Sequence, residues 1–248
     1  MVPELMMPQR IMTVDVEPDL RSKGCKSIEI VLPKLLNFFD DHKIKATFFT
    51  VTTLLEKYES EIKAISKKHE IASHSQTHSL LTPNNAEAEI RLSKEQLKEY
   101  RIPCLGFRAP RFMVTKDHFL LLTRYGYQYD ASLAPYFPGR YRNLNLPQQP
   151  FRHKNILEFP MPTFVYPSIN AGLSYLKLLY PLSKAFHQKY MFYLHPWEFL
   201  EKKDLPGKNM LLSPLLKRNT GKKAWTIFQD FIAKEDAHWI SCQDWMKQ

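Results

Sequence analysis

The sequence predicts an α/β fold in which a mainly parallel sheet curls into a barrel. Short apolar, β-branched or aromatic runs alternate with longer stretches of helical periodicity along the chain. About seven such strand–helix units follow one another, which suits a closed barrel better than an open sheet. Asp15, His74, Arg108, Asp130 and His195 all fall at or just past the ends of expected strands, and barrels of this kind place their chemistry at the C-terminal strand ends.

The elements follow in order. Residues 10–16 (RIMTVDV) read as a buried strand, and 27–41 place Ile28, Val31, Leu32, Leu35, Leu36 and Phe39 at helical spacing. Residues 45–51 are strand-like, 54–68 helical, and 70–73 form a short strand leading into His74. The alternation continues with a helix at 85–100, a strand at 104–108, a helix at 116–125 and a strand at 127–133. A strand at 156–160, a helix around 173–187, an aromatic strand at 190–194, a helix at 222–234 and a last strand at 238–242 complete it. Residues 136–154, with Pro138, Pro147, Pro150, Arg140, Arg142, Arg152, His153 and Lys154, read as one irregular lid or binding loop.

The chain has 248 residues, 44% hydrophobic and 24% charged. That is ordinary globular composition, and the length fits one catalytic domain spanning 1–248. The net charge of +10 favours anionic partners. No nucleic-acid-binding motif or continuous Lys/Arg tract accompanies it, so nucleic acid is not an expected partner. Cys25, Cys104 and Cys242 are odd in number, far apart and without CxxC spacing. They argue against a disulfide framework or a thiolate zinc site and for free buried thiols in a reducing compartment. The opening MVPELMMPQR has no signal-peptide pattern. The longest uncharged run, 159–176, is interrupted by Pro160, Pro162 and Pro167 and makes no convincing spanning helix. A cytoplasmic protein is expected.

Several short segments carry chemistry. His74 and His78 stand at i and i+4; on one helical turn they point the same way and can share a metal, the alternative being two surface histidines. Asp15-Val16-Glu17 supplies two carboxylates after a buried strand, able to serve as a third ligand and a general base, or with Glu17 as a helix cap. His195, in His195-Pro196-Trp197-Glu198, can act as a general acid or pack against Trp197. Arg108 can orient a carboxylate base, stabilise oxyanion charge or form a structural ion pair. Asp130 can orient a histidine or shape a turn.

In their order, TVDVE, HSQTHSLL, FRAPRF, YDASL and LHPWE resemble the five motifs of the polysaccharide deacetylases, the NodB-homology family also called carbohydrate esterase family 4. The resemblance spans roughly residues 10–198. The HPWE motif and GLSYLKLLYPL are similar to a branch associated with bacterial exopolysaccharide, and the opening DVE also resembles deacetylases of lipid-linked 4-amino-4-deoxyarabinose. The resemblance implies a distorted (β/α)7 barrel, a divalent metal, with zinc expected, and hydrolysis of an N-acetyl or related acyl group on an amino sugar. It makes His74 and His78 metal ligands, Asp15 the general base positioned by Arg108, and His195 the general acid tuned by Asp130. The family's commonest first motif has adjacent aspartates, whereas Val16 stands in the second slot here. Relatives with D-x-D spacing point to Glu17 as third ligand, with Asp15 and Glu17 able to exchange roles. The implied partner is a glycan or lipid-linked sugar. With the positive charge and the apolar 159–182 stretch, this suggests peripheral contact with an anionic membrane at its inner face, against barrel core as the alternative for that stretch. Two other readings stand beside it: a glycan-binding protein with a vestigial site, and a hydrolase of a non-sugar amide on the same fold.

Overall fold

The computed structural model describes residues 7–21, 24–137, 141–142, 144–187, 189–205, 217–234 and 237–248. In chain order the strands are β1 (Gln9–Val16), β2 (Thr47–Thr50), β3 (Glu70–Ser73), β4 (Gly106–Phe107), β5 (Tyr129–Asp130), β6 (Tyr136–Phe137) and β7 (Tyr141–Arg142). They continue with β8 (Phe151–His153), β9 (Ile156–Glu158), β10 (Thr163–Val165), β11 (Ile169–Asn170), β12 (Met191–Leu194) and β13 (His238–Ile240). The α-helices are α1 (Leu32–Asp41), α2 (Leu55–Ile65), α3 (Ala86–Glu99), α4 (His118–Arg124), α5 (Leu173–Leu179), α6 (Lys222–Lys234) and α7 (Cys242–Met246).

The main sheet runs β12-β1-β2-β3-β4-β5-β9-β8, with β13 also paired to β1. From β12 to β9 neighbouring strands are parallel, and β8 closes the edge antiparallel to β9. This is the expected α/β architecture as a curled half-barrel. Between β9 and β12 no strand ladder completes the circle among the described residues. Ala171 crosses the gap instead: its N–H donates to Pro162 O at 2.8 Å, and its own carbonyl accepts from Tyr193 N at 3.2 Å. Gly172 lies at this seam because a Cβ there would meet the Tyr193 ring at 2.1 Å. These contacts explain the distortion.

Burial follows the sequence pattern. Every residue of β1 from Ile11 to Val16 is buried, as in parallel strands covered on both faces. Leu32, Leu35, Phe38 and Phe39 of α1 face the core. On α6, Phe228 and Phe231 stack on Phe192 of β12.

The structure departs from expectation in two places, and at a third, 159–182, it favours the barrel-core alternative. Residues 136–154 are not uniformly irregular: they hold the β6–β7 hairpin and β8, with Arg152, His153 and Lys154 exposed. Arg140 lies outside the described residues. The 159–182 stretch is largely core, since Phe159, Met161, Ala171, Leu173 and Leu176 are buried while Val165, Tyr166 and Leu182 face solvent. The helix expected around 173–187 ends at Leu179, and a 3₁₀ turn follows at Leu182–Ala185. No helix of the described residues is long and apolar enough to cross a membrane.

Candidate active site

Adjacent strands deliver the site residues to one end of the sheet. β1 carries buried Asp15 one residue before its end and leads to Glu17; β3 leads to His74, β4 to Arg108 and β12 to His195, while β5 ends with Asp130.

His74 and His78 meet, with ring centroids 5.0 Å apart, but not on a helical turn. The segment after β3 is a loop in which Ser75 and His78 adopt left-handed backbone, φ 67° and 64°. This corrects the expectation drawn from i,i+4 spacing. Such backbone is costly for non-glycine residues and persists where neighbours hold it. Thr52 and Thr53 N–H groups donate to Ser75 O and Gln76 O, and the His78 N–H donates to Ser75 Oγ. Glu89 on α3, not identified from the sequence, accepts from Gln76 N at 3.0 Å, Thr77 N at 2.9 Å and Thr77 Oγ1 at 2.5 Å. The loop that aims His78 is therefore built around one buried carboxylate.

Three donor atoms converge here. Glu17, His74 and His78 offer ligand atoms all within 4.8 Å of one another. Glu17 Oε2 lies 2.5 Å from His78 Nε2 and 3.7 Å from His74 Nε2. His74 Nδ1 sits 2.8 Å from Arg108 O. A carbonyl only accepts, so Nδ1 carries the proton and the Nε2 lone pair is free. The buried His78 Nε2 has no aligned hydrogen-bond partner among the described residues despite its closeness to Glu17. Two imidazoles and a carboxylate whose donor atoms converge are a donor set that fits a divalent metal held by three protein ligands. Glu17 is fixed from behind by Trp197, whose Nε1–H donates to Oε1 at 3.0 Å. Burial alone would raise the Glu17 carboxyl, but His78 and His195 outweigh it and hold it well below the usual range.

Asp15 occupies a different position from Glu17. Arg108, with no exposure, donates Nη1–H to Asp15 Oδ1 at 2.6 Å and to Thr13 Oγ1 at 3.1 Å, and Nε–H to Ala131 O at 3.2 Å. Its guanidinium lies 4.0 Å from the Phe49 ring centroid. Asp15 Oδ2 faces His195 Nε2 at 3.9 Å, and Glu17 Oε1 is 3.9 Å from the same nitrogen. Burial would lower the His195 pKa, yet Glu17, Glu198 and Asp15 together raise it to about 9.

Asp130 does not contact His195 as expected. It takes His118 Nε2 at 2.9 Å and Ser132 Oγ–H at 2.6 Å. Ser132 Oγ in turn accepts from Ala109 N, the residue after Arg108. Burial pushes neighbouring Glu158 well above its ordinary pKa, and Asp130 adds to this. For Asp130 burial is outweighed by His118, which lowers it. The partner of His195 is Glu198, whose Oε1 is 3.0 Å from Nδ1. A 3₁₀ turn over Pro196–Phe199 folds Glu198 back onto His195, so the partner comes from within the same four-residue motif. His195 also stacks on Trp197, centroids 5.0 Å apart.

A polysaccharide deacetylase family model matches residues 11–129. A peptidoglycan deacetylase of Helicobacter pylori is 28% identical over 131 residues, 48% of this chain and 44% of that protein. The chain thus spans less than half the length of that curated relative. Among solved structures, the peptidoglycan deacetylase PdaC of Bacillus subtilis aligns over 98% of this chain and 91% of its own, with TM-score 0.57 and 11% identity. Puue allantoinase aligns over 95% and 88%, with TM-score 0.62 and 14% identity. At these identities the structural likeness speaks to the fold. The family match covers β1 through the start of β5, just under half of the chain, and the segment that contributes Asp15, Glu17, His74, His78 and Arg108 is thus similar to the polysaccharide deacetylase family.

Proposed function

We propose that this chain is a metal-dependent hydrolase that removes an N-acetyl group from an amino sugar of a glycan, acting as one catalytic domain over 1–248. One observation carries the reading: His195 Nε2 stands 3.9 Å from both Asp15 and Glu17, so a base, an acid and a three-donor metal cluster share one small space. His74, His78 and Glu17 are the proposed ligands. A bound divalent metal supplies Lewis-acid polarisation of the acyl carbonyl and lowers the pKa of water at the site.

The side chains divide the proton work. Asp15, held by Arg108, accepts the proton of the attacking water. Arg108 fixes Asp15 Oδ1, leaving Oδ2 toward the reacting centre. His195 donates from Nε2 to the departing amine. Asp130 acts at a distance, through Ser132 and Ala109, on the strand end that carries Arg108. Asp15→Asn is expected to retain metal and to lose turnover on N-acetylated chito-oligosaccharides by roughly 10²- to 10⁴-fold, the usual worth of a general base. Near-normal acetate release would sink the assignment.

A lipid-linked acceptor at the cytoplasmic face of an anionic membrane is the finer part of the proposal. It is supported by the net charge of +10, exposed Leu182, and the buried cysteines Cys25, Cys104 and Cys242, none of them in a disulfide, which suit a reducing compartment. The protein is expected to co-float with phosphatidylglycerol liposomes at low salt; remaining in the dense fraction would refute this part alone.

A further inference from the structure

We propose that Lys177 and Glu198 form a buried positioning pair for His195, holding its Nδ1 proton so that Nε2 faces the reacting centre. This rests on reading His195 as the general acid. Neither Lys177 nor Glu198 touches the metal cluster, and neither is a role the motif resemblance assigned.

The geometry is specific. Glu198 Oε1 receives both the His195 backbone N–H, at 3.1 Å, and His195 Nδ1, at 3.0 Å. Its other oxygen, Oε2, faces Lys177 Nζ at 2.9 Å and accepts from Ser174 Oγ at 3.1 Å. Lys177 and Ser174 lie one helical turn apart on α5, so one face of that helix supplies both partners. Glu198 has no exposure and Lys177 1%. Lys177 Nζ also lies 5.5 Å from the centroid of the Trp197 ring, the ring on which His195 stacks. The chain Lys177–Glu198–His195 therefore runs from the helix layer to the reacting centre.

Physical chemistry gives the pair its job. A carboxylate this deeply buried would take up a proton in the absence of a cation. A protonated Glu198 would no longer be an acceptor only, and could equally donate to Nδ1, which would move the imidazole proton to Nε2. Lys177 prevents this: burial pushes Glu198 upward, but Lys177 and then His195 bring it down to about 2. A buried ion pair contributes little net stability compared with apolar residues of the same volume, so stability alone is a weak reason for placing these charges here.

That same fact supplies the test. Lys177→Met alone strands a buried carboxylate and is expected to disrupt folding. The double variant Lys177→Met/Glu198→Leu removes both charges and should fold with a melting temperature near that of the parent. In zinc-loaded protein at one fixed pH, long-range ¹H–¹⁵N spectra of the histidine rings should show His195 Nδ1 protonated in the parent and no longer uniformly so in the double variant. On N-acetylchitopentaose, kcat should fall roughly 10- to 100-fold, the usual worth of a group orienting a catalytic side chain, with KM and zinc content unchanged. Placed in a His195→Ala background, the double substitution should cause no further loss. A double variant with parental stability, an unchanged Nδ1 signature and parental kcat would overturn the proposal and leave the pair structural. His195→Ala with full turnover, alongside the expected spectra, would instead overturn the acid assignment and leave the positioning pair standing.

Discussion

Glu89 offers the sharpest test of how the metal cluster is built. Its carboxylate receives two backbone N–H groups and one hydroxyl from the loop that turns His78 toward Glu17. Glu89→Ala leaves the Gln76 and Thr77 N–H groups without their acceptor. Losing charge-assisted bonds of this kind costs about 2–4 kcal/mol in total, allowing for partial hydration of the loop. Glu89→Gln is a graded control. Its amide oxygen can take the place of Oε2 and keep both backbone donors, while Thr77 Oγ1, already 2.8 Å from Ser79 Oγ, can rotate to accept from the new amide N–H. That variant should lose only about 1 kcal/mol. Because Ser75 and His78 hold left-handed backbone, relaxing the loop moves His78 Nε2 away from Glu17 and His74. Zinc affinity, measured by competition with a chromogenic chelator, should fall about 10- to 100-fold in Glu89→Ala, as for other groups that orient a ligand, and several-fold at most in Glu89→Gln. Parental zinc affinity in Glu89→Ala, at a temperature where it is folded, would refute the claim that this carboxylate aims the ligand.

Two further outcomes follow from the same geometry. Trp197→Phe keeps a ring against His195 but removes the Nε1–H donated to Glu17 Oε1; zinc affinity should drop roughly tenfold, and an unchanged binding isotherm would contradict it. Glu158 has a folded pKa raised by burial and by Asp130, so the folded state binds its proton more tightly than the unfolded chain. The stability this gives is fully present below the unfolded pKa, about 4.3, and is lost as pH rises from there toward the folded pKa. Asp130, lowered by His118, works in the opposite sense and in a separate window below about 3.9. Glu158→Gln retains an acceptor for Leu133 N and a donor toward Asp130, so melting curves should lose part of their decline above pH 5; identical pH slopes in both proteins would count against a protonated Glu158.

The strand–helix alternation was legible because parallel strands buried on both faces read as largely apolar runs, as in β1 and β12, and the flanking helices carry one apolar face. β10, β11 and the β6–β7 hairpin escaped notice because they are two- or three-residue strands outside the strand–helix alternation, in proline-bearing segments. The three residues whose donor atoms converge were named from the sequence, but the geometry that joins two of them was not legible: an i,i+4 spacing looks the same on a helix and in a loop with two left-handed residues. Asp130 and His195 each had the chemistry to pair, and only the fold distributes them to different partners, His118 and Glu198. Glu89 and Lys177 lie inside ordinary amphipathic helices, where an acidic or basic residue ordinarily reads as surface.

The two histidines fixed through Nδ1 explain how one cluster can assign different proton roles to chemically identical side chains. His74 gives its Nδ1 proton to a neutral acceptor, the Arg108 carbonyl, which fixes the tautomer without adding charge. That contact leaves the Nε2 lone pair available, as the proposed ligand role requires. His195 gives its Nδ1 proton to an ionised carboxylate, Glu198, and has Asp15 and Glu17 at 3.9 Å on its other side. Those charges favour the imidazolium, as a proton donor requires, and its pKa is raised accordingly. The Arg108 carbonyl also belongs to the residue whose side chain binds Asp15, so one position at the end of β4 sets the tautomer of the proposed ligand His74 through its backbone and the orientation of the proposed base Asp15 through its guanidinium. The proposed ligand, base and acid are thereby distinguished by the charge of the group behind each one: the backbone carbonyl and the guanidinium of Arg108 for the first two, and the Glu198 carboxylate of the turn after β12 for the third.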